Sequence, residues 1–95
     1  MFENSSLPMW VYDPQTFLFL AVNNAAVEYY GYPRAKLLTM TVQQLHVLED
    51  RSNLLDVMLR SPVNREHKEV WRHVKKDGAV VYVRCVSRTL RHSAK

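Results

Sequence analysis

Four histidines and a single cysteine are the side chains of this sequence best suited to chemistry near neutral pH. Histidine transfers protons and binds metals, and cysteine is a nucleophile or metal ligand once it is a thiolate. His67, His73 and His92 are separated by strand-like spacing and have no clustered acidic partners, so the sequence predicts no metal site. Cys85 has no second thiol with which to form a disulfide or to build a zinc or iron–sulfur framework.

Trp71 and His73 are the best polar and aromatic pair, because residues two apart on a strand face the same way. In one interpretation they line a pocket, where the indole stacks on a planar ligand and the imidazole forms a hydrogen bond with it. In the other, which we favour, Trp71 packs in the sheet and His73 bonds a neighbouring backbone carbonyl. Four residues are predicted either to form the apolar wall of a cavity or to fill a dry core: Leu54, Met58, Val83 and Cys85.

Catalytic motifs are missing from the sequence. It has no nucleophile elbow and no serine or cysteine with an arranged histidine and acid, and its two glycines cannot build a glycine-rich phosphate loop. The acidic pair Glu49 and Asp50 is explained by the favourable position of carboxylates at a helix start. We therefore expect no enzymatic activity from these residues.

Length and composition indicate one small domain. The 95 residues are 47% hydrophobic and 23% charged, which is typical of a single globular domain over residues 1–95. Chains of this size bury only about 60–65% of their unfolded surface, so an internal cavity must be small. No stretch approaches the roughly 20 apolar residues of a membrane span, and no signal peptide is visible. We expect a cytoplasmic domain with no membrane insertion of its own, whose parent protein can be anchored elsewhere.

The net charge of +4 invites a nucleic-acid interpretation, which the distribution of charge does not support. Lysines and arginines are spread from Arg34 to Lys95 and alternate with acids at residues 65–69, as on a solvated surface. The sequence therefore predicts no nucleic-acid partner.

The first half of the chain predicts a β-hairpin followed by two short helices. Apolar runs at residues 9–12 and 17–22 flank a proline-containing turn. Asn23 is suited to cap the first helix and Gly31 to end it in the left-handed conformation. Pro33 is suited to the first position of a second helix over residues 33–38.

The second half predicts a further turn at residues 41–45, a longer helix at 48–60 and a second hairpin, 67–75 with 79–90, around Asp77 and Gly78. The apolar residues of the longer helix are Leu54, Leu55, Met58 and Leu59. Alternation in the last strand predicts an inward face of Val81, Val83, Cys85 and Ser87. The outward face is Tyr82, Arg84, Val86 and Arg88. This order predicts an α+β domain in which short helices cover one face of an antiparallel sheet.

Three motifs in this order give the chain a family resemblance. They are Val22-Asn23-Asn24-Ala25-Ala26, then Tyr30-Gly31-Tyr32, then Trp71-Arg72-His73 leading to Lys75-Lys76-Asp77-Gly78. The chain resembles a PAS domain of bacterial sensor proteins over nearly its whole length. The resemblance implies a five-stranded antiparallel sheet in the order 2-1-5-4-3, with helices over one face.

The sequence departs from the family pattern at two places. Thr39 stands where the family commonly has glycine after the second short helix, so the helix stop there is either costlier or replaced by another geometry. The fifth strand, which would be central in the sheet, has no recognisable counterpart before Lys95. We expect either a truncation at the C-terminus or a second chain that covers the exposed strand edges.

Members of the family hold haem, flavin, small metabolites or nothing between sheet and helices. The light-sensing flavin branch needs a cysteine in a Gly-Arg-Asn-Cys context before the long helix, whereas Cys85 lies in a late strand and is expected to be an apolar filler. Haem-binding relatives place a histidine on the long helix, and residues 48–60 contain none. His46 lies just before that helix and is expected to be a capping or surface residue. Haem and photoactive flavin are therefore disfavoured, and the cofactor stays unknown.

The resemblance implies a sensory and dimerising module that biases a covalently attached output domain, such as a histidine kinase or a cyclic-di-nucleotide enzyme. The expected partners are a second copy, in a homodimer, and a small-molecule ligand. The residues expected to contact the second copy or the N-terminal segment are Phe2, Tyr82, Arg84 and Arg88. The alternative is a structural interaction domain with a solid core and no ligand.

Overall fold

The computed structural model describes residues 2–60 and 66–88. Two strands open the chain, β1 at Trp10–Tyr12 and β2 at Phe19–Val22. Helix α1 spans Asn24–Tyr30 and α2 spans Arg34–Leu37, and two 3-10 helices follow, η1 at Val42–Leu45 and η2 at Leu48–Asp50. Helix α3 spans Arg51–Arg60, and the strands β3 and β4 span Glu66–Val74 and Val80–Arg88. This is the α+β order predicted from the sequence.

The first hairpin, β1 with β2, has shorter strands than the sequence predicts. Trp10 pairs with Val22, and the register is irregular between Val11 and Tyr12. Strand β2 begins only at Phe19 because Phe17 takes a positive φ of 64° in the connecting turn. Leu18 instead forms an isolated antiparallel bridge with Thr41, which ties the hairpin to the helical segment.

The second hairpin, β3 with β4, is regular from Glu66 opposite Arg88 to Val74 opposite Val80. Its turn forms as predicted, because the Asp77 carboxylate accepts a hydrogen bond from the Ala79 amide at 2.9 Å and Gly78 takes a φ of 92°. The predicted continuation of the last strand to residues 89–90 lies outside the described residues.

The two hairpins form two separate two-stranded sheets in the described part of the chain. Strand β1 pairs there with β2, and β4 pairs with β3. Four strands are therefore described, and no fifth strand joins the hairpins within residues 2–60 and 66–88. The backbone edges of β1 and β4 that a central strand would join carry no strand partner in that region.

Asn23 organises the start of α1, as the sequence predicts. Its side-chain oxygen accepts hydrogen bonds from the amides of Ala26 and Met9, both at 2.9 Å. Its side-chain nitrogen donates to the carbonyls of Phe2 and Leu7, also at 2.9 Å. The side chain is fully buried, so it caps the helix and holds the N-terminal segment against it. Gly31 ends the helix with a φ of 84°, which confirms the predicted left-handed stop.

Helix α2 ends without the glycine that the family commonly has at the position of Thr39. Leu38 ends the helix in a right-handed conformation, with φ of −71°, so no left-handed residue is needed there. The Thr39 hydroxyl donates a 2.7 Å hydrogen bond to the Lys36 carbonyl and its amide donates to the same group. A side-chain bond therefore replaces the glycine geometry of the family. Pro33 lies at the cap position before the helix rather than at its first residue.

The core lies between the hairpins and the helical layer, which we define as residues 24–60. Its buried hydrophobic residues are Phe19, Val22, Ala26, Tyr30, Leu37, Met40, Val42, Leu45, Leu54 and Trp71. The predicted apolar stripe of α3 is only partly right, because Leu54 is buried whereas Leu55 and Leu59 are exposed. None of the helices in the described ranges has the length and apolar character needed to cross a bilayer.

Candidate functional site

Three buried polar side chains meet where the second hairpin faces the helical layer. Tyr30 belongs to the last turn of α1, His73 to β3, and His46 directly follows η1. The backbones of His46 and His73 form an isolated antiparallel bridge, which brings the two imidazoles together. The histidines are 2% and 0% exposed, and Tyr30 is 2% exposed. These groups are withdrawn from water, so they must satisfy one another.

A continuous chain of hydrogen bonds joins them. The Tyr30 hydroxyl lies 2.5 Å from His73 Nδ1, and His73 Nε2 lies 3.1 Å from His46 Nε2. His46 Nδ1 lies 3.0 Å from the Val42 carbonyl oxygen. We call this chain, from Tyr30 through His73 and His46 to the Val42 carbonyl, the histidine relay. It connects α1, β3 and η1 through three side chains and one backbone carbonyl.

The Val42 carbonyl at the end of the relay determines the tautomers of the two neutral histidines. A carbonyl oxygen only accepts, so His46 must donate from Nδ1, and its Nε2 is then an acceptor. His73 must therefore donate from Nε2, which leaves its Nδ1 to accept from the Tyr30 hydroxyl. Every donor points from Tyr30 towards Val42. The relay is thus complete with both histidines neutral, and each of these imidazole nitrogens has a partner.

Electrostatics in the relay favour the neutral imidazoles. Burial and, secondarily, the neighbouring His46 lower the pKa of His73 to about 3. Burial also lowers the pKa of His46, and the Val42 hydrogen bond and the Asp50 charge offset only part of this effect. Burial raises the pKa of Tyr30, so its hydroxyl stays protonated at neutral pH.

Asp50 is the carboxylate that acts on His46, and it is already paired. Arg72 donates to its two oxygens at 2.6 and 3.0 Å, and this hydrogen bonding lowers the pKa of Asp50. The Arg51 guanidinium donates to the His46 carbonyl at 3.2 Å and disfavours a charge on the imidazole. A protonated histidine pair would therefore have no free counter-ion among these groups.

A small cavity of about 60 Å³ lies beside the relay. Its lining residues are Trp10, Tyr12, Val42, His46, Leu54, Met58, Trp71 and Cys85. Pockets that hold drug-sized ligands measure roughly 300–1,000 Å³, so this cavity accommodates only a few atoms or waters without rearrangement. Its walls are mostly apolar and aromatic, and Trp71 packs edge-on against His46 with ring centroids 5.6 Å apart.

The candidate pocket residues from the sequence lie at different places around this cavity. Leu54, Met58, Trp71 and Cys85 line it, whereas Val83 does not. His73 lies in the relay, beyond the lining residues. The expectation that His73 bonds a backbone carbonyl is wrong, because its imidazole bonds the side chains of Tyr30 and His46.

The expectation that His46 is a capping residue is confirmed, but its burial was not foreseen. It does end η1, but it is not a surface residue. Its position one residue after the buried Leu45 and four after the buried Val42 is the only local signal of burial. The contributions of Trp10 and Tyr12 to the cavity depend on how the first hairpin packs, which no local pattern indicates.

Cys85 behaves as an apolar residue. Burial raises the pKa of its thiol to about 11, so the thiolate is rare at neutral pH. Its sulfur lies 3.9 Å from His73 Nε2. In the described part of the chain, no group of three histidine, cysteine or acidic residues is placed to hold a metal ion.

The residues proposed for an interface lie away from the cavity. Tyr82 is 74% exposed, and Arg84 is exposed on the same outer face of β4. The Phe2 carbonyl accepts a hydrogen bond from Asn23, so the N-terminal segment is held near α1. The side chain of Arg88 lies outside what the structure describes.

Comparisons with known proteins place this architecture in one family. The family model for the PAS domain matches residues 1–68. The fold is similar to the PAS domain of an HTR-like protein from Haloarcula marismortui, with a TM-score of 0.85, 18% identity, and coverage of 97% of this chain and 75% of that one. It is also similar to a PAS domain from a two-component sensor histidine kinase, with a TM-score of 0.76, 21% identity, and coverage of 96% and 78%. No curated protein matches the chain. Because the family model covers well over half of the sequence, this chain belongs to the PAS domain family.

Proposed function

We propose that this chain is a sensory module that regulates a covalently attached output domain. Membership of the PAS family supports this function, and so does the likeness of its fold to a PAS domain from a sensor histidine kinase. A histidine kinase or a cyclic-di-nucleotide enzyme such as a diguanylate cyclase is the proposed output. The 95 residues act in this proposal as one domain without catalytic activity of their own.

The observation that carries the proposal is the polar connection between the helical layer and the second hairpin. Besides the histidine relay it includes the Asp50–Arg72 ion pair and two backbone hydrogen bonds, from Val47 to Arg72 and from Lys76 to Tyr30. The proposal requires a second arrangement of hairpin and helices in which these few bonds are broken. A signal shifts their populations only if it binds the two arrangements unequally.

The site proposed to receive the signal is the cavity and the histidines beside it. Of the candidate ligand-contact residues from the sequence, Leu54, Met58, Trp71 and Cys85 line the cavity, His73 lies beside it in the relay, and Val83 is outside its lining. A ligand larger than a few atoms has to open this region, because the cavity measures about 60 Å³. Ligand binding is therefore coupled in this proposal to movement of the second hairpin.

The outer face of the second hairpin is the proposed contact with a second copy. Val70, Val80 and Tyr82 are more than half exposed, and Arg84 lies beside them on the same hairpin. Exposed apolar residues grouped on one strand face mark interaction surfaces. Phe2 and Arg88 complete the proposed interface.

Light scattering and native mass spectrometry of the 95-residue chain test the proposed dimer. We expect a dimer whose dissociation constant rises at least about tenfold in Tyr82→Glu, because an interfacial aromatic residue commonly contributes more than 1.4 kcal/mol. Leu59→Glu is the matched control, since Leu59 is also an exposed apolar residue but lies on α3. A strict monomer at high concentration, or equal effects of the two substitutions, contradicts the proposed interface.

A ligand-free structural interaction domain is the second candidate. The small cavity and the complete hydrogen bonding of the relay favour it, because neither requires a ligand. A visible absorbance band, or a thermal shift with one member of a metabolite panel, supports the sensory function. A clean spectrum and no thermal shift support the structural one.

A further inference from the structure

We propose that the His46–His73 pair is a proton-binding site through which acidification loosens the second hairpin from the helical layer. This inference rests on the proposed sensory function and names an input for it. The evidence is the closed geometry of the relay, the absence of a free counter-ion among the groups that face it, and the position of the pair at the joint between hairpin and helices.

The first proton has a defined place in the relay. It binds His73 Nδ1, which then donates to the Tyr30 oxygen, while His73 Nε2 still donates to His46 Nε2. The bond between Tyr30 and His73 reverses, and the Tyr30 hydroxyl proton loses its acceptor. A second proton would set two N–H groups against each other across 3.1 Å. Proton uptake therefore conflicts with the closed geometry.

The elements packed around the pair offer no unpaired carboxylate to stabilise an imidazolium. Helix α1 contributes the neutral Tyr30, and β4 contributes the Cys85 thiol. From η2, Asp50 is engaged by Arg72 of β3, and from α3 the cationic Arg51 contacts the His46 carbonyl. Glu49, the other carboxylate of η2, interacts with Arg72. Two cations thus accompany the two carboxylates. The charged pair is stabilised only when hairpin and helices separate and water reaches the imidazoles.

The sign of the pH dependence follows from linkage. The open arrangement exposes imidazoles of ordinary pKa near 6.5, while burial lowers the pKa of His73 in the closed arrangement to about 3. The closed arrangement therefore binds fewer protons, keeps its full stability above about pH 6.5, and loses it as the pH falls towards 3. Between about pH 7.5 and pH 5.5 the open fraction rises roughly tenfold through His73 alone, and His46 adds to this.

Native-state hydrogen exchange of the full chain tests the proposal. The amides of Val47 and Lys76 report the joint directly, because they donate to Arg72 and Tyr30 across it. After correction for intrinsic exchange rates, we expect their protection to fall about tenfold or more between about pH 7.5 and pH 5.5. The Phe19 amide, which bonds Met40 beside the first hairpin, is the internal control and is expected to change less.

Substitution of the histidines supplies the second arm. We expect His73→Gln to remove the roughly tenfold share of the pH dependence at Val47 and Lys76 that comes from His73 and to leave only the share of His46. His67→Gln and His92→Gln, which remove the other two histidines of the chain, should keep the whole dependence. If His73→Gln does not fold, the unaltered chain alone decides. Protection that stays flat in the unaltered chain, or a dependence that is undiminished in a folded His73→Gln, overturns the proton site. Neither result affects the tests of dimerisation and ligand binding, so the proposed function is judged separately.

Discussion

Two buried polar clusters hold this small domain together, and they differ in kind. Asn23 bonds only backbone groups, three of its four partners lie in the N-terminal segment, and its amide does not titrate. The histidine relay bonds side chain to side chain over sequence separations of 43 and 27 residues, and its members do titrate. The contribution of the Asn23 cluster to stability is therefore independent of pH. The contribution of the histidine relay depends on the protonation of its imidazoles.

The largest effect is expected for Asn23→Ala. It removes a helix cap and leaves the Phe2 and Leu7 carbonyls and the Met9 amide without their side-chain partner, so we expect a loss of about 3 kcal/mol in the free energy of unfolding. Urea unfolding measures it, and the loss should be equal at high and low pH. Asn24→Ala, at the exposed neighbouring position, is the control. A loss of stability that varied with pH would contradict the proposed difference between the two clusters.

A smaller and pH-dependent effect is expected for His73→Gln. We expect a loss of about 2 kcal/mol near pH 7.5, because the Tyr30 hydroxyl and His46 lose well-placed partners in a buried site. The difference from the unaltered chain should shrink towards pH 5.5, because the proton that His73 binds in the unfolded state destabilises only the unaltered chain. Paired urea titrations at the two pH values check this, and a constant difference contradicts it.

Tyr30→Phe separates hydrogen bonding from titration. The substitution removes one donor to His73 Nδ1 and keeps the ring that packs in the core, so we expect a loss of about 1 kcal/mol. Both histidines remain, and the pH dependence of stability should therefore persist. Tyr29→Phe, on the half-buried neighbouring residue, is the matched control. If Tyr30→Phe abolished the pH dependence, the histidines would not be the groups that titrate.

The smallest effect is expected for Asp50→Asn. The ion pair with Arg72 is partly exposed, so solvent screens it and we expect only a small loss of stability. High salt screens the pair further, so the effect of the substitution should be smaller there. Because Arg72 lowers the pKa of Asp50, the contribution of the pair is present at neutral pH and is lost as the pH falls through that lowered pKa. Thermal unfolding at low and high ionic strength measures it. An effect larger than that of His73→Gln would show that the ion pair, and not the relay, is the main polar connection between hairpin and helices.

The same contrast explains what the sequence could predict. The Asn23 cap, the Gly31 stop and the turn at Asp77 and Gly78 depend on backbone geometry within a few residues, and all are confirmed. Both hairpins are confirmed for the same reason, with errors at strand ends where Phe17 and Leu18 follow tertiary contacts.

The relay could not be predicted in this way. His46 and His73 meet only because β3 folds against the end of η1, and no local rule indicates that contact. The inward alternation of β4 correctly places Cys85 near the cavity but does not show that Val83 is outside its lining. Side-chain partners far apart in the sequence are fixed by packing, which a single sequence does not reveal.

Long-range nitrogen–proton NMR correlation of the imidazoles is the most direct measurement of the joint, because it reports the position of each ring proton. At about pH 7.5 we expect His46 to carry its proton on Nδ1 and His73 on Nε2, with both rings neutral and neither titrating near the ordinary value of 6.5 while the chain stays folded. The opposite tautomers, or a folded chain in which either ring titrates near 6.5, would show that no directional relay joins the hairpin to the helices.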